Sequence, residues 1–90
     1  MESDKVIVRH PTPEEIKEAK AWPIWCKEVS KFDWTYGDKE TCLILEGEVE
    51  VTNKHGNNFS FKEGDYVIFP TGMSCFWNVK RAVKKHYNFG

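Results

Sequence analysis

Two glycine-anchored segments, residues 40–48 and 64–72, most constrain what this chain can fold into. Each contains a run of apolar residues typical of β-strands, aliphatic in the first and mixed with aromatic residues in the second. Glycines lie at or near the ends, at Gly47, Gly64 and Gly72. Glycine favours sharp turns because it adopts a positive φ at little cost. We therefore expect Gly47 and Gly64 to lie at turns between strands, and Gly72 to lie at a further turn.

Other short runs of strand-forming residues are separated by turn residues along much of the chain. Between two of them, residues 53–57 are expected to connect a hairpin, with Gly56 supplying a positive φ. Regularly spaced short strands without helices between them indicate a β-sandwich or barrel. The predicted strands are residues 5–9, 24–29, 31–36, 40–45, 48–52, 58–62, 66–69, 74–79 and 83–89.

One short helix is predicted near the N-terminus. Thr12 is a suitable N-cap, Pro13 suits the first helical position, and Glu15 would complete a capping box. The helix should end at about Lys20, because the next proline, Pro23, disfavours helical backbone before it. The chain is thus expected to form a single all-β domain over residues 1–90. Residues 1–21 would hold a strand and the helix, and residues 22–90 the barrel.

Charge and composition exclude several kinds of partner. Thirteen basic and fourteen acidic residues give a formal net charge of −1, so no nucleic-acid partner is expected. No apolar run approaches the roughly 20 residues that span a bilayer, and residues 1–5 do not resemble a signal peptide, so no membrane partner is expected. Three cysteines without a Cys-x-x-Cys pair suit a reducing compartment. We therefore expect a cytoplasmic protein.

One predicted strand, residues 40–45, is apolar on both faces. Leu43 and Leu45 lie on one face, and Cys42 and Ile44 lie with Glu40 on the other. A strand of this kind is often covered twice, by the core and by a second element or a partner. A homodimer is therefore an alternative that the sequence suggests.

The order of these residues resembles the two motifs of the cupin barrel. Glu40 and Gly47 match the end of the first motif, and Gly64, Pro70 and Gly72 match the second. The chain is similar to small single-domain, RmlC-like cupins related to the (S)-ureidoglycine aminohydrolase cupin domain, which implies a double-stranded β-helix, or jelly roll. The residues that carry this similarity are Trp22, Pro23, Trp25, Phe32, Trp34, Tyr36, Glu40, Thr41, Cys42, Leu45, Glu46, Gly47, Glu63, Gly64, Asp65, Phe69, Pro70, Gly72, Cys75, Trp77, Lys85, His86 and Tyr87.

The resemblance also implies that the usual cupin metal site is altered. The three positions that hold histidine in metal-binding cupins fall on Trp34, Tyr36 and Cys75, and only the carboxylate position, Glu40, is retained. Imidazoles are the ligands on which mononuclear transition-metal sites of this kind depend. We therefore expect no metal and no cofactor. A soft ion held by Cys75, Cys42 and Glu40 is the alternative.

The same resemblance implies that a set of side chains converges on one cavity. Candidate walls are Trp34 and Trp77, for which packing in the core is the alternative because aromatic residues dominate small cores. Alternation alone does not decide whether His86 or Lys85 points inward. The inward one would pair with Glu40, and the alternative is a strand residue at the surface or a dimer contact. The full set of candidate site residues is Trp34, Tyr36, Glu40, Cys42, Cys75, Trp77 and His86.

Three functions compete. The leading hypothesis is a cupin that binds a small molecule in its cavity without the three-histidine metal site. The second is a small-molecule hydrolase or isomerase, with Glu40 as general base and Tyr36 as proton donor or orienting group. Cys75 would be a nucleophile if its thiolate were stabilised. The third is a non-catalytic, dimeric interaction module.

Overall fold

The computed structural model describes residues 5–90, in which seven strands and one helix follow one another along the chain. Their bounds are β1 Ile7–Arg9, α1 Pro13–Ala19, β2 Ile24–Lys27, β3 Ser30–Thr35, β4 Glu40–Asn53, β5 Asn58–Lys62, β6 Tyr66–Phe69 and β7 Ser74–Phe89. The strands pair antiparallel in the order β1-β6-β4-β7-β2, with β3 also on β7 and β5 also on β4. The prediction of an all-β jelly roll with one short helix is confirmed. Residues 1–4, which the prediction included in the N-terminal part of the domain, lie outside the described residues.

The two longest strands, β4 and β7, each replace two predicted strands. They pair along their whole length, from Glu40 opposite Phe89 to Asn53 opposite Cys75. Each also changes its second partner midway: β4 passes from β6 to β5, and β7 passes from β3 to β2. Long bent strands shared between two parts of a sheet allow that sheet to curve around one core.

The prediction of a strand-to-strand turn at Gly47 was wrong, because this glycine lies inside β4. The pairing with β7 shifts register between Ile44 and Glu46, between Glu46 and Glu48, and between Glu48 and Val49. Gly47 has a φ of 103° within this irregular stretch. A bulge of this kind bends a strand without ending it. Turns at Gly56, Gly64 and Gly72 are confirmed.

Helix α1 begins as predicted. The Glu15 amide donates to Thr12 Oγ1 at 3.2 Å, and the Thr12 amide donates to Glu15 Oε1 at 2.9 Å, which together complete the capping box. Arg9 adds two hydrogen bonds to the Glu15 carboxylate, at 2.7 and 2.8 Å. The helix ends at Ala19, within one residue of the expected end.

Removing the cap should destabilise the whole domain modestly. Thr12→Ala leaves the Glu15 amide without its acceptor, and an N-cap of this type contributes about 1 kcal/mol. We expect urea unfolding to show a loss of about that size, with Thr12→Ser close to wild type because serine retains the hydroxyl. Equal losses in both variants would contradict a role for the cap.

Helix α1 also accounts for the second apolar face of β4. The inner face carries Cys42 and Ile44 into the main core. The outer face carries Leu43, which packs in a separate cluster with Ala19 of the helix and Tyr66 of β6. The two-sided pattern is thus satisfied within one chain, and the homodimer stays a prediction. Helix α1, the single helix in residues 5–90, is not long and apolar enough to cross a membrane.

Candidate functional site

A cavity of about 190 Å³ opens between β2, β3, the start of β4 and both halves of β7. Its walls are mainly aromatic, with one carboxylate and one ammonium among them. It is smaller than the roughly 300–1,000 Å³ that is typical for drug-sized ligands, so any occupant is small. The lining residues are Trp25, Phe32, Trp34, Tyr36, Glu40, Trp77, Lys85, Tyr87 and Phe89.

Trp77 organises the aromatic wall. Phe32 stands opposite it in the β3–β7 pairing and stacks on it, with ring centroids 5.7 Å apart. Trp25 meets it edge to face at 5.9 Å. Trp34 and Phe89 are each 48% exposed, so they form the outer part of the cavity, whereas Trp77 is buried. The wall therefore runs from the buried indole of Trp77 to the exposed rings at the mouth.

A buried ion pair forms the polar part of the cavity. Lys85 Nζ lies 2.6 Å from Glu40 Oε2, and each side chain is only 5% exposed. Burying either charge alone is costly, so the two groups depend on each other.

The Lys85 ammonium also lies against aromatic faces. Nζ is 4.8 Å from the Trp25 ring centroid, 4.9 Å from that of Trp77 and 5.8 Å from that of Phe69. Distances within about 6 Å allow a cation–π interaction, which is strongest with tryptophan. The ammonium is therefore held by a carboxylate and by a partial aromatic cage.

Several polar atoms of the site retain hydrogen-bonding capacity. Glu40 Oε2 accepts from Lys85 and from Cys42 Sγ, at 3.0 Å for the thiol, whereas Oε1 has no hydrogen bond to any residue in the described part of the chain. The Tyr36 hydroxyl accepts from Trp77 Nε1 at 3.2 Å and donates to none of residues 5–90. Burial raises the pKa of this hydroxyl far above its usual value, with a contribution from the Glu40 charge, so Tyr36 keeps a proton that it can donate.

Four of the predicted site residues line the cavity together: Trp34, Tyr36, Glu40 and Trp77. The other three do not line it. Cys42 is buried behind Glu40, and burial raises the pKa of its thiol. Cys75 Sγ lies 3.6 Å from the Trp34 carbonyl oxygen. His86 Nδ1 lies 2.9 Å from the Trp22 carbonyl oxygen.

Lys85, and not His86, is the residue that pairs with Glu40. The sequence left these two open, and it did not place Trp25, Phe32, Tyr87 or Phe89 in the cavity. The sign that could have identified Lys85 is the alternation along β7. Trp77 and Val79 are buried, and after the exposed residues 80–82 the odd-numbered face is buried again at Val83 and Lys85.

The residues of this cavity do not suit the metal ion that metal-binding cupins hold with three histidines. Tryptophan, tyrosine and cysteine stand at the three imidazole positions, and Glu40 is bonded to an ammonium. Across residues 5–90, no group of three His, Cys, Asp or Glu side chains is placed to hold a metal ion, and the alternative set of Cys75, Cys42 and Glu40 is included in that finding.

Comparisons with known proteins agree on the family. A family model described as the EutQ-like cupin domain matches residues 14–87. Among solved structures, a DUF861 family protein from Thermotoga maritima is 51% identical, with a TM-score of 0.92, and the match covers 96% of this chain and 100% of that one. No match was found among curated proteins.

More distant structures share the fold. A putative ethanolamine utilization protein Q from Salmonella typhimurium is 22% identical, with a TM-score of 0.66 and coverage of 97% of this chain and 72% of that one. The EutQ protein of Clostridium difficile is 21% identical, with a TM-score of 0.62 and coverage of 91% and 64%. Similarity to (S)-ureidoglycine aminohydrolase is not shown by these comparisons and stays a prediction.

Proposed function

Because the chain belongs to the family of EutQ-like cupin domains, we propose that it binds a small molecule in the barrel cavity through contacts that need no three-histidine metal site. One observation carries this proposal. The buried ion pair of Glu40 and Lys85 lies in the wall of an aromatic cavity and does not fill the core.

A buried ion pair is a poor way to stabilise a core. Well-packed apolar side chains of the same size are often as good or better, because they avoid the desolvation of two charges. The pair is more easily explained as part of a binding site, since Glu40 Oε1 can still accept a hydrogen bond. Aromatic walls with a few placed polar groups are typical of small-molecule sites.

The four tryptophans provide a direct binding experiment. Trp25, Trp34 and Trp77 line the cavity, whereas Trp22 packs in the outer cluster. We expect small aromatic and amide fragments to shift the indole N–H signals of Trp25 and Trp77 in NMR titrations and to leave Trp22 unchanged.

A matched pair of variants assigns the binding to the cavity mouth. Trp34 and Phe76 are similarly exposed, at 48% and 40%, but only Trp34 lines the cavity. Trp34→Ala should weaken fragment binding about three- to tenfold, the size of one aromatic contact, and Phe76→Ala should leave it unchanged. A fragment screen that perturbs no cavity indole, or that is equally sensitive to both variants, would refute the proposal.

The hydrolase or isomerase hypothesis is the second candidate. The cavity brings together a carboxylate oxygen, Glu40 Oε1, and the Tyr36 hydroxyl, which retains its proton. These are the groups that a general base and a proton donor require. No observation identifies a bond that would react, so binding, which requires none, is the function we propose.

A further inference from the structure

We propose that Lys85 acts as a tethered cation that fills the aromatic cage and neutralises Glu40, so that the cavity selects an uncharged ligand. This inference rests on the proposed function and names the chemical class of the molecule that the cavity binds. The residue that determines this specificity is Lys85.

The aromatic cage explains why a cationic ligand is excluded. Cages of tryptophan and other aromatic rings commonly recognise ammonium ligands. In this cavity the faces of Trp25 and Trp77 are already in contact with the ammonium of the chain itself, at 4.8 and 4.9 Å. A second cation would have to enter beside the first, where it would meet like charge in a poorly hydrated site.

The charge balance explains why an anionic ligand is also excluded. Among the lining residues that the structure describes, Glu40 is the only carboxylate and Lys85 the only cation. Their 2.6 Å contact leaves no net charge in the cavity wall. An anion would face the Glu40 carboxylate and would lose its hydration without gaining an unpaired cation in exchange.

An uncharged ligand avoids both the repulsion that a cation meets and the loss of hydration that an anion suffers, and it can still form hydrogen bonds in the cavity. Glu40 Oε1 can accept a hydrogen bond, and the Tyr36 hydroxyl can donate one. The rings of Trp25, Phe32 and Trp77 suit a flat or apolar body. The ligand class is therefore a small neutral molecule that joins a planar or apolar part to both a donor and an acceptor, as a primary amide does.

Three probes of nearly identical shape test this inference: benzamide, benzamidinium and benzoate. They share a phenyl ring and a planar head group, and they differ in charge. Benzene itself fits an engineered apolar cavity of about 150 Å³ in another protein, so the ring suits the 190 Å³ found here. We expect NMR titration of the wild-type protein, followed at the Trp25 and Trp77 indoles, to give benzamide an affinity at least about tenfold above that of either ion.

Two variants should change the preference in opposite directions. Lys85→Met empties the cage beside a free carboxylate, so benzamidinium should become the preferred probe and should raise the unfolding temperature of this variant. Glu40→Gln leaves the ammonium without its counter-charge, so benzoate should gain. Lys84→Met is the matched control, because the neighbouring Lys84 does not line the cavity, and it should keep the wild-type order.

The wild-type titrations decide the question even if a variant does not fold. Benzamide bound more tightly than both ions supports the inference. Either ion bound as tightly as benzamide overturns it, while the proposed function survives because the cavity still binds. If none of the three probes, nor any other fragment, perturbs the cavity indoles, the proposed function and this inference fail together.

Discussion

Lys85→Met is expected to lower the free energy of unfolding by about 3–5 kcal/mol, because it leaves the Glu40 carboxylate buried without its partner. Glu40→Gln should be destabilising for the converse reason, since it removes the charge that compensates Lys85. The double variant removes both charges together. It should therefore lose less than the sum of the two single losses.

Urea unfolding of the four proteins measures this coupling as a double-mutant cycle. The exposed pair of Lys80 and Glu50 is the control, with N and O atoms 3.7 Å apart and side chains 47% and 30% exposed. Lys80→Met should change stability by less than about 1 kcal/mol, as exposed pairs do. Strictly additive losses at Glu40 and Lys85 would show that the two charges do not depend on each other.

The second large effect is expected at Gly47. A β-carbon there would lie 2.4 Å from the Ala82 carbonyl oxygen and 2.7 Å from the Val83 α-carbon, and the φ of 103° disfavours any other residue. Both obstacles are backbone, which cannot rotate away as a side chain can. Gly47→Ala should cost about 2–6 kcal/mol, the sum of backbone strain and overpacking.

Gly37 offers the comparison for this experiment. It has no positive φ, and an added β-carbon would find no atom within 4 Å. Gly37→Ala should therefore be close to wild type in thermal and urea unfolding. If Gly47→Ala were as stable as Gly37→Ala, the close approach of β4 and β7 at the bulge would be disproved.

The sequence predicted best those parts of the fold that depend on contacts between residues close together in the chain. Helix α1 was predicted to within one residue because its cap, Thr12 with Glu15, is a contact between residues three apart. The bulge at Gly47 was missed because its cause is distant in sequence: β7 passes so close that only glycine fits. The residues next to Gly47 in the sequence indicate only a turn.

The cavity was predicted only in part for a related reason. Glu40, Tyr36, Trp34 and Trp77 were placed by the resemblance to the cupin motifs, but the partner of Glu40 depended on the course of β7. Reading residues 74–79 and 83–89 as separate strands broke the alternation that carries the inward face to Lys85. Four of the seven predicted residues line the cavity, and Lys85 was not among the seven because the continuity of β7 was not visible in the sequence.

The shared strands β4 and β7 also bear on how the chain reaches this structure. Each runs through both parts of the barrel, and they pair with each other from Glu40 opposite Phe89 to Asn53 opposite Cys75. Neither part can therefore close before segments far apart in sequence have met. Pairing of this kind slows folding, because loop-closure entropy is lost before the contacts form. We therefore expect the barrel to form late and in one cooperative step, with no stable intermediate in which only one part is folded.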